Sequence, residues 1–554
     1  MPKFTLPQNR TWQGIYPGEF LGNLFLTKNI DLYRSPGKIM LGESLSSIFD
    51  SGDDSDLTLP VKFLRTAADG TDKWWALAGK LFKTTGTDPE TGWIQDAISN
   101  SPSAPADDMV ELVDILYVPT ATNIARLSAG TWTASWWQGT QAQAALTSNP
   151  HRFEVFAGAW LMTDGRLIHT WDNTLVVNSA ITLPADFIAL WIRSNADFSF
   201  IGTRSTTGRE AEVFFWDRTS TVFNARYGIG DREALAGFAV SGIPFVITKR
   251  GEIKRFTGQG FRTVQQFPTV ELGKDIRNID PNGISVNEGI VKINVDMGIS
   301  ADLRVLSGIW TFNADTNNLI HSNSFKNDSG LDYSQQEVAG AGAMVATQPG
   351  QGRFLVGGSA YTTYPSATKH CIFTFDEEST INRGYILTPK LRTQDVQGFF
   401  KNLFLKFPRF KSSGDRIRIL ALFRDSIILP VYETITWVTS TTFTGSSTLV
   451  GAGDFVEIIA GDNAGAIAKI TGRSGSSAPY TFTIDLTLNS STKAARARYL
   501  KFAEVGTIAD QDSQRKVFRL GARSEWQQYL IELRGTDRSP ALEELLLEFD
   551  EHKF

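Results

Sequence analysis

Ile124-Ala125-Arg126-Leu127-Ser128-Ala129-Gly130-Thr131-Trp132 and Ile253-Lys254-Arg255-Phe256-Thr257-Gly258-Gln259-Gly260-Phe261 share one pattern, Ile-x-Arg-apolar-x-small-x-x-aromatic. Each follows an apolar run and a polar turn, residues 115–118 before the first and 245–248 before the second. They lie 129 residues apart, which is three times 43. A second pair is Leu167-Ile168-His169 after Asp164-Gly165, and Leu319-Ile320-His321 after Asn317-Asn318. Leu167 stands 43 residues after Ile124. A related hairpin, residues 74–83, opens the series. A period in the low forties matches one four-stranded propeller blade, and residues 60–380 leave room for about seven. The expected fold of this part is a β-propeller, with His169 and His321 at equivalent repeat positions. A different all-β array stays open, because short strands also yield chance hairpin matches.

The surrounding sequence agrees with an all-β chain. Apolar runs of about 4–8 residues are bounded by Gly, Asn, Asp, Ser or Thr, and long helical periodicity is almost absent. Gly (48), Phe (37) and Trp (14) are abundant among the 554 residues, as sheets joined by tight turns require. A hydrophobic share of 42% supplies a core without a disulfide or metal staple. Near residue 381 the pattern changes. A partly alternating basic stretch at 399–411, then 416–423, 517–520, 527–533 and 542–549, reads as a β-sandwich over 381–438 and 491–554. Residues 439–490 are rich in Ser, Thr, Gly and Ala, with four short strands between Gly turns. This is expected to be a small β-barrel-like module inserted in a sandwich loop. Residues 1–59 are expected to form an extended segment that closes or braces the propeller.

Chemistry is hard to find. The net charge of −5 argues against a broad basic face that neutralises phosphates. The lone Cys371 lies in the apolar run Cys371-Ile372-Phe373-Thr374-Phe375 and reads as a buried structural thiol. His151, His370 and His552 have no ligand at metal-binding spacing, and His169 and His321 read as packing or turn residues. The acidic run Asp50-Ser51-Gly52-Asp53-Asp54-Ser55-Asp56 lacks the Gly and Glu placement of an EF-hand and reads as a solvated loop. Asp164, Asp172, Asp217 and Asp231 fall near blade turns, but nothing singles out the paired carboxylates of a glycosidase. The Gly-rich run 339–342 precedes a strand, so it is not a phosphate cradle. Trp74-Trp75 and Trp136-Trp137 could form a sugar-stacking platform; packing between blades is the reading taken. The expectation is a non-enzyme, with no catalytic, cofactor or metal residues. Met1-Pro2-Lys3-Phe4-Thr5 has no apolar h-region and no run reaches 18 apolar residues. Neither a secretory signal nor a membrane span is expected.

The segment Asn29-Ile30-Asp31-Leu32-Tyr33-Arg34-Ser35-Pro36-Gly37-Lys38, then Trp74-Trp75-Ala76-Leu77 and residues 385–392, resemble parts of tail structural proteins of tailed bacteriophages. The overall plan is similar to the tail nozzle proteins of short-tailed phages: an N-terminal segment, a propeller, then sandwich material with inserted modules. The resemblance implies a virion protein assembled in the bacterial cytoplasm. It implies a homo-oligomeric ring, a hexamer, around the DNA exit channel, docked to adaptor and fibre proteins. Genomic DNA would pass through the lumen during ejection without sequence-specific binding, and an acidic balance suits a lumen that repels it. Two rival readings are a receptor- or carbohydrate-binding propeller of a fibre or spike, and a glycan-degrading enzyme.

Overall fold

The computed structural model describes residues 3–5, 13–15, 23–24, 26–33, 38–66, 74–95, 108–120, 122–270, 274–287, 289–297, 306–323, 338–348, 353–363, 367–376, 382–388, 391–392, 398–423, 429–460, 466–488, 494–500, 502–509, 514–524, 526–535 and 539–551. The chain is 60% strand and 1% helix, so the all-β expectation holds. Arg34 to Gly37, residues 324–337, residues 389–390 and His552 lie outside the described residues.

Seven four-stranded antiparallel sheets follow one another along the chain. Blade 1 runs from Phe63–Thr66 to Trp93–Gln95, and blade 2 from Val110–Leu112 to Thr131–Thr133. Blade 3 runs from Phe153–Phe156 to Val176–Thr182, and blade 4 from Phe187–Ser194 to Ala225–Gly228. Blade 5 runs from Ala234–Val240 to Phe261–Gln266, and blade 6 from Ile284–Asn287 to Asn318–Asn323. Blade 7 takes three strands from Val338–Gln348, Arg353–Thr363 and Ala367–Asp376. Its fourth strand, Ser44–Asp50, comes from near the other end of the chain and pairs with Ala367–Asp376. The ring is therefore sealed by main-chain hydrogen bonds between distant segments.

The repeat spacing has a structural origin. Ile124–Ser128, Leu167–Trp171 and Glu252–Phe256 are the third strands of blades 2, 3 and 5. The histidine pair is corrected, however. His169 lies on the third strand of blade 3 and His321 on the fourth strand of blade 6. A polar turn before an apolar pair can open any strand of a hairpin, so the pattern alone does not say which. Successive blades also start 34 to 54 residues apart, which blurs the repeat.

A blade cannot cover both its faces alone, so each buries apolar surface against the next. Trp75 and Leu77 of blade 1 share a cluster with Leu116 and Val118 of blade 2. The Tyr117 ring lies 5.8 Å from that of Trp160 of blade 3. Leu161 joins Phe214 of blade 4, and Trp191 joins Val246 of blade 5. Phe245 lies 5.9 Å from Phe312 of blade 6. Ile309 joins Val356 of blade 7, and Leu355 returns to Trp74 and Ala76 of blade 1. Burying side chains of this size stabilises by about 1.5–3 kcal/mol each, and the last contact closes the circle.

After blade 7 the chain enters a two-sheet sandwich. One sheet holds Gly398–Lys406 between Arg515–Ser524 and Glu544–Glu551, and Lys3–Thr5 joins its edge. The other holds Trp526–Gly535 between Asn382–Leu387 and Arg416–Phe423, and Leu26–Lys28 joins it. Phe400, Leu403 and Leu405 face the core with Ile417, Ile419, Ile531 and Leu533. A bulge between Phe400 and Asn402 shifts the alternation by one residue.

The inserted module is a closed six-stranded barrel, and its extent corrects the expected 439–490. Leu429–Thr439 and Ala494–Leu500 are staves of the barrel, not of the sandwich. The physical reason is closure: every stave needs two hydrogen-bonded neighbours, and the four Gly-flanked strands alone leave edges open. Arg418 of the sandwich reaches the barrel carbonyl of Ile467 and pairs with Glu532 at 2.6 Å. Phe455 and Ile467 pack there on Leu420 and Leu530.

Candidate functional site

Three places carry polar chemistry in the propeller. The first crosses its centre. Lys62, Asp108, Arg152 and Asp280 each immediately precede, or nearly precede, the first strand of their blade. Asp280 Oδ2 lies 3.2 Å from Lys62 Nζ and 3.3 Å from Arg152 Nη2. These residues belong to blades 6, 1 and 3, so the contacts bridge the interior of the ring. Asn282 Nδ2 donates to Asp108 Oδ1 (2.8 Å) and to the Lys62 carbonyl (3.2 Å). Arg193 of blade 4 donates to the Pro281 carbonyl at 2.6 Å and to Asn282 Oδ1 at 3.0 Å. The segment Asp280-Pro281-Asn282 is thus pinned across the axis by four other blades. Burial pushes the Asp108 carboxyl up to about 6, even though Arg152 and the Phe153 amide favour its charge. Burial acts on Asp280 in the same direction, but the charges of Arg152 and Lys62 outweigh it and hold that carboxyl below its usual value. Two buried carboxylates with opposite displacements can suggest catalysis. Here the contacts named above tie residues of blades 1, 2, 3 and 4 to the segment that precedes blade 6.

The second place was missed in the sequence. Asp164, in the Asp164-Gly165 turn of blade 3, accepts from His151 Nε2 at 3.3 Å, His169 Nε2 at 3.4 Å and the Thr147 amide at 3.1 Å. Thr147 Oγ1 also donates to it. Burial alone would raise its pKa, but these donors hold the carboxyl well below the usual range. His169 Nδ1 accepts the Ser179 amide at 3.0 Å. Both histidines are buried and both Nε2 atoms point at one carboxylate. The Asp-Gly turn before a β-strand was the available signal, but His151 lies thirteen positions away in a connecting segment. Among the described residues, no group of three or more His, Cys, Asp or Glu is placed to hold a metal.

The other sequence candidates lie apart from these two places. Trp74, Trp75, Trp136 and Trp137 are buried between blades. Cys371 is buried in blade 7. Asp50 to Asp56 form a turn tied by Lys369 at Asp50 and by Lys80 at Asp56 (2.7 Å). Asp172 and Asp217 cap their own turns, and Asp231 accepts the Arg250 amide at 2.8 Å. The Gly-rich run 339–342 lies within the strand Val338–Gln348. His321 joins the two halves of the molecule: its Nδ1 accepts the Asn29 amide at 3.0 Å and its Nε2 donates to the Ser307 carbonyl at 3.2 Å.

The third place is a groove of about 1060 Å³ on blades 4, 5 and 6. It is built from turns at one end of the propeller: 195–198, 224–225, 242–244, 257–258 and 316–318. Phe215 and Phe256 lie 4.8 Å apart at its floor, with Tyr227 5.1 Å from Phe256. Phe198, 36% exposed, stands at the rim 6.5 Å from Phe215. Its walls are braced between blades. Asn195 Nδ2 donates to the Gly242 carbonyl and Gln265 Nε2 to the Asn317 carbonyl, both at 2.8 Å. Arg255 and Arg262 sit directly opposite each other on paired strands and both line the groove.

No protein-family model and no curated protein matches the sequence. Among solved structures, the extracellular domain of a putative hybrid two-component system from B. thetaiotaomicron is similar over 79% of this chain, at 10% identity and a TM-score of 0.41. This chain covers 47% of that one, just under half its length. The WD40 domain of Neurospora crassa Pan2 is similar over 61% of this chain and 95% of its own, at 7% identity and a TM-score of 0.38. Chaetomium thermophilum Raptor is similar over 61% and 29%, at 11% identity and a TM-score of 0.39. The fold rests on the sheets described above. Among the described residues, no helix is long and apolar enough to cross a membrane.

Proposed function

We propose that the chain is a non-enzymatic structural protein of a bacteriophage tail, a nozzle-like subunit that assembles into a ring around the DNA exit channel and docks other tail components. The observation that carries this reading is the bracing of one block by the N-terminal segment. Ser44–Asp50 completes blade 7, while Leu26–Lys28 and Lys3–Thr5 each extend a sandwich sheet. Asn29 and His321 bond the outer edge of blade 6 to this segment. A part that must transmit load benefits from such stiffness, and exposed loops on a stiff scaffold suit docking. The axial plug supports placing the DNA path between copies of the chain, because Asp280-Pro281-Asn282 crosses the centre of each propeller. The test is negative-stain microscopy of the purified full chain and of virions carrying it. Rings of several copies with a central hole are expected. Monomers in solution, with no such ring in virions, would overturn the reading.

A further inference from the structure

We propose that the groove on blades 4, 5 and 6 binds an acidic saccharide, a sugar chain that carries carboxylates. The inference goes beyond the ring assembly and does not depend on it. Arg255 and Arg262 form a directly opposed cross-strand pair, and neither guanidinium has a hydrogen bond or ion pair among the described residues. Like charges in this register repel, so the pair lacks a structural reason and calls for an anion. The Asp197 carboxylate also lines the groove and is unpartnered among the described residues. Sugar hydroxyls donate to such an acceptor, whereas a purely anionic ligand is repelled by Asp197.

The aromatic surface completes the match. Tyr227 and Phe256 are half-buried, and Phe198 is exposed at the rim. Flat apolar ring faces fit the C–H faces of a pyranose and leave its hydroxyls for the polar walls. The volume of about 1060 Å³ lies just above the usual range for small-molecule sites, roughly 300–1,000 Å³, so it suits an oligomer. The inter-blade bonds of Asn195 and Gln265 hold the walls in place before binding, which reduces the ordering cost. A nucleic acid fits less well, because two arginines beside an aspartate neutralise too little phosphate.

The test uses the full chain on an array of oligosaccharides bearing uronic or nonulosonic acids, beside their neutral counterparts, an acidic peptide and oligothymidylate. Binding confined to acidic sugars is expected. Calorimetric titration with the best acidic oligosaccharide is expected to show at least a tenfold loss of affinity in Arg262→Gln and in Arg255→Gln, with unchanged melting temperatures. Equal binding of neutral sugars, binding of only the peptide or the oligonucleotide, binding of nothing, or unchanged affinity in both variants would each overturn the proposal. The array is read on the protein whether or not it forms rings, so this result and the microscopy fail separately.

Discussion

Arg152 at the start of blade 3 and Asp280 at the start of blade 6 meet at 3.3 Å, although 128 residues and half the propeller ring separate them. Their contact spans the interior that a propeller otherwise leaves as a channel. With Lys62, Asp108, Arg193 and Asn282 it fills the axis with a partly buried, hydrogen-bonded network.

Asp280→Asn removes the carboxylate that faces both Lys62 and Arg152. Breaking one member of a buried ion cluster costs about 3–5 kcal/mol, because the remaining charges lose compensation. The unfolding free energy from urea denaturation is expected to fall by that amount, seen as a lower midpoint at constant slope. Asp186→Asn, which breaks the exposed pair with Arg209, is expected to change stability by about 0–1 kcal/mol. Equal losses in the two variants would show that the plug contributes no more than a surface pair.

The pH dependence of the plug has a definite sign. Asp108 is held at about 6 when folded, above the unfolded value of about 3.9. Its contribution is fully present below about pH 4 and is lost as pH rises through about 6. Asp108→Asn does not titrate. Wild type is therefore expected to lose roughly 2–3 kcal/mol relative to that variant between pH 4 and 7. Denaturation of both proteins across this window measures it, and a flat difference contradicts it.

Gly237→Ala tests the packing of blade 4 on blade 5. A Cβ at Gly237 would lie 2.1 Å from the Trp191 ring, whose Nε1 donates to the Ala234 carbonyl at 2.9 Å. Overpacking of this kind costs about 1–3 kcal/mol. Trp191→Phe in the same chain is expected to relieve part of the strain, so the double variant is more stable than the sum of the single losses. Strict additivity in thermal denaturation would show that the two residues do not compete for space.

His321→Leu removes the acceptor for the Asn29 amide and the donor to the Ser307 carbonyl. Leaving a buried amide unsatisfied costs about 1–3 kcal/mol. Because this bond joins blade 6 to the segment that extends the sandwich, calorimetry is expected to resolve two transitions where wild type shows one. A single transition at the wild-type temperature would remove His321 from that role.

Much of the propeller was legible in the chain. Ile124, Leu167 and Ile253 report third strands because a strand and its turn are built from adjacent residues, and alternation and Gly turns encode that locally. The histidines show where this stops. Leu167-Ile168-His169 and Leu319-Ile320-His321 look alike, yet they sit on different strands, because a turn does not record its position in a blade. The barrel stops at the same boundary: its four Gly-flanked strands were readable, while the staves at 429–439 and 494–500 resemble any other strand.

The sequence by itself determined that the chain is all-β; its repeats pointed to about seven blades followed by a sandwich with an inserted module, and left another all-β array open. Hydrophobic alternation and turn residues act over a few positions, and a sequence displays them directly. Only the tertiary structure decided that Ser44–Asp50 seals blade 7, that Asp280 plugs the axis and that Asp164 gathers His151 and His169. It also decided that Arg255 and Arg262 face one groove with Phe198 and Tyr227. These contacts join residues that no period relates. They exist because ring closure and inter-blade packing bring the strand ends and turns together, and charge and burial then act on whatever groups meet there.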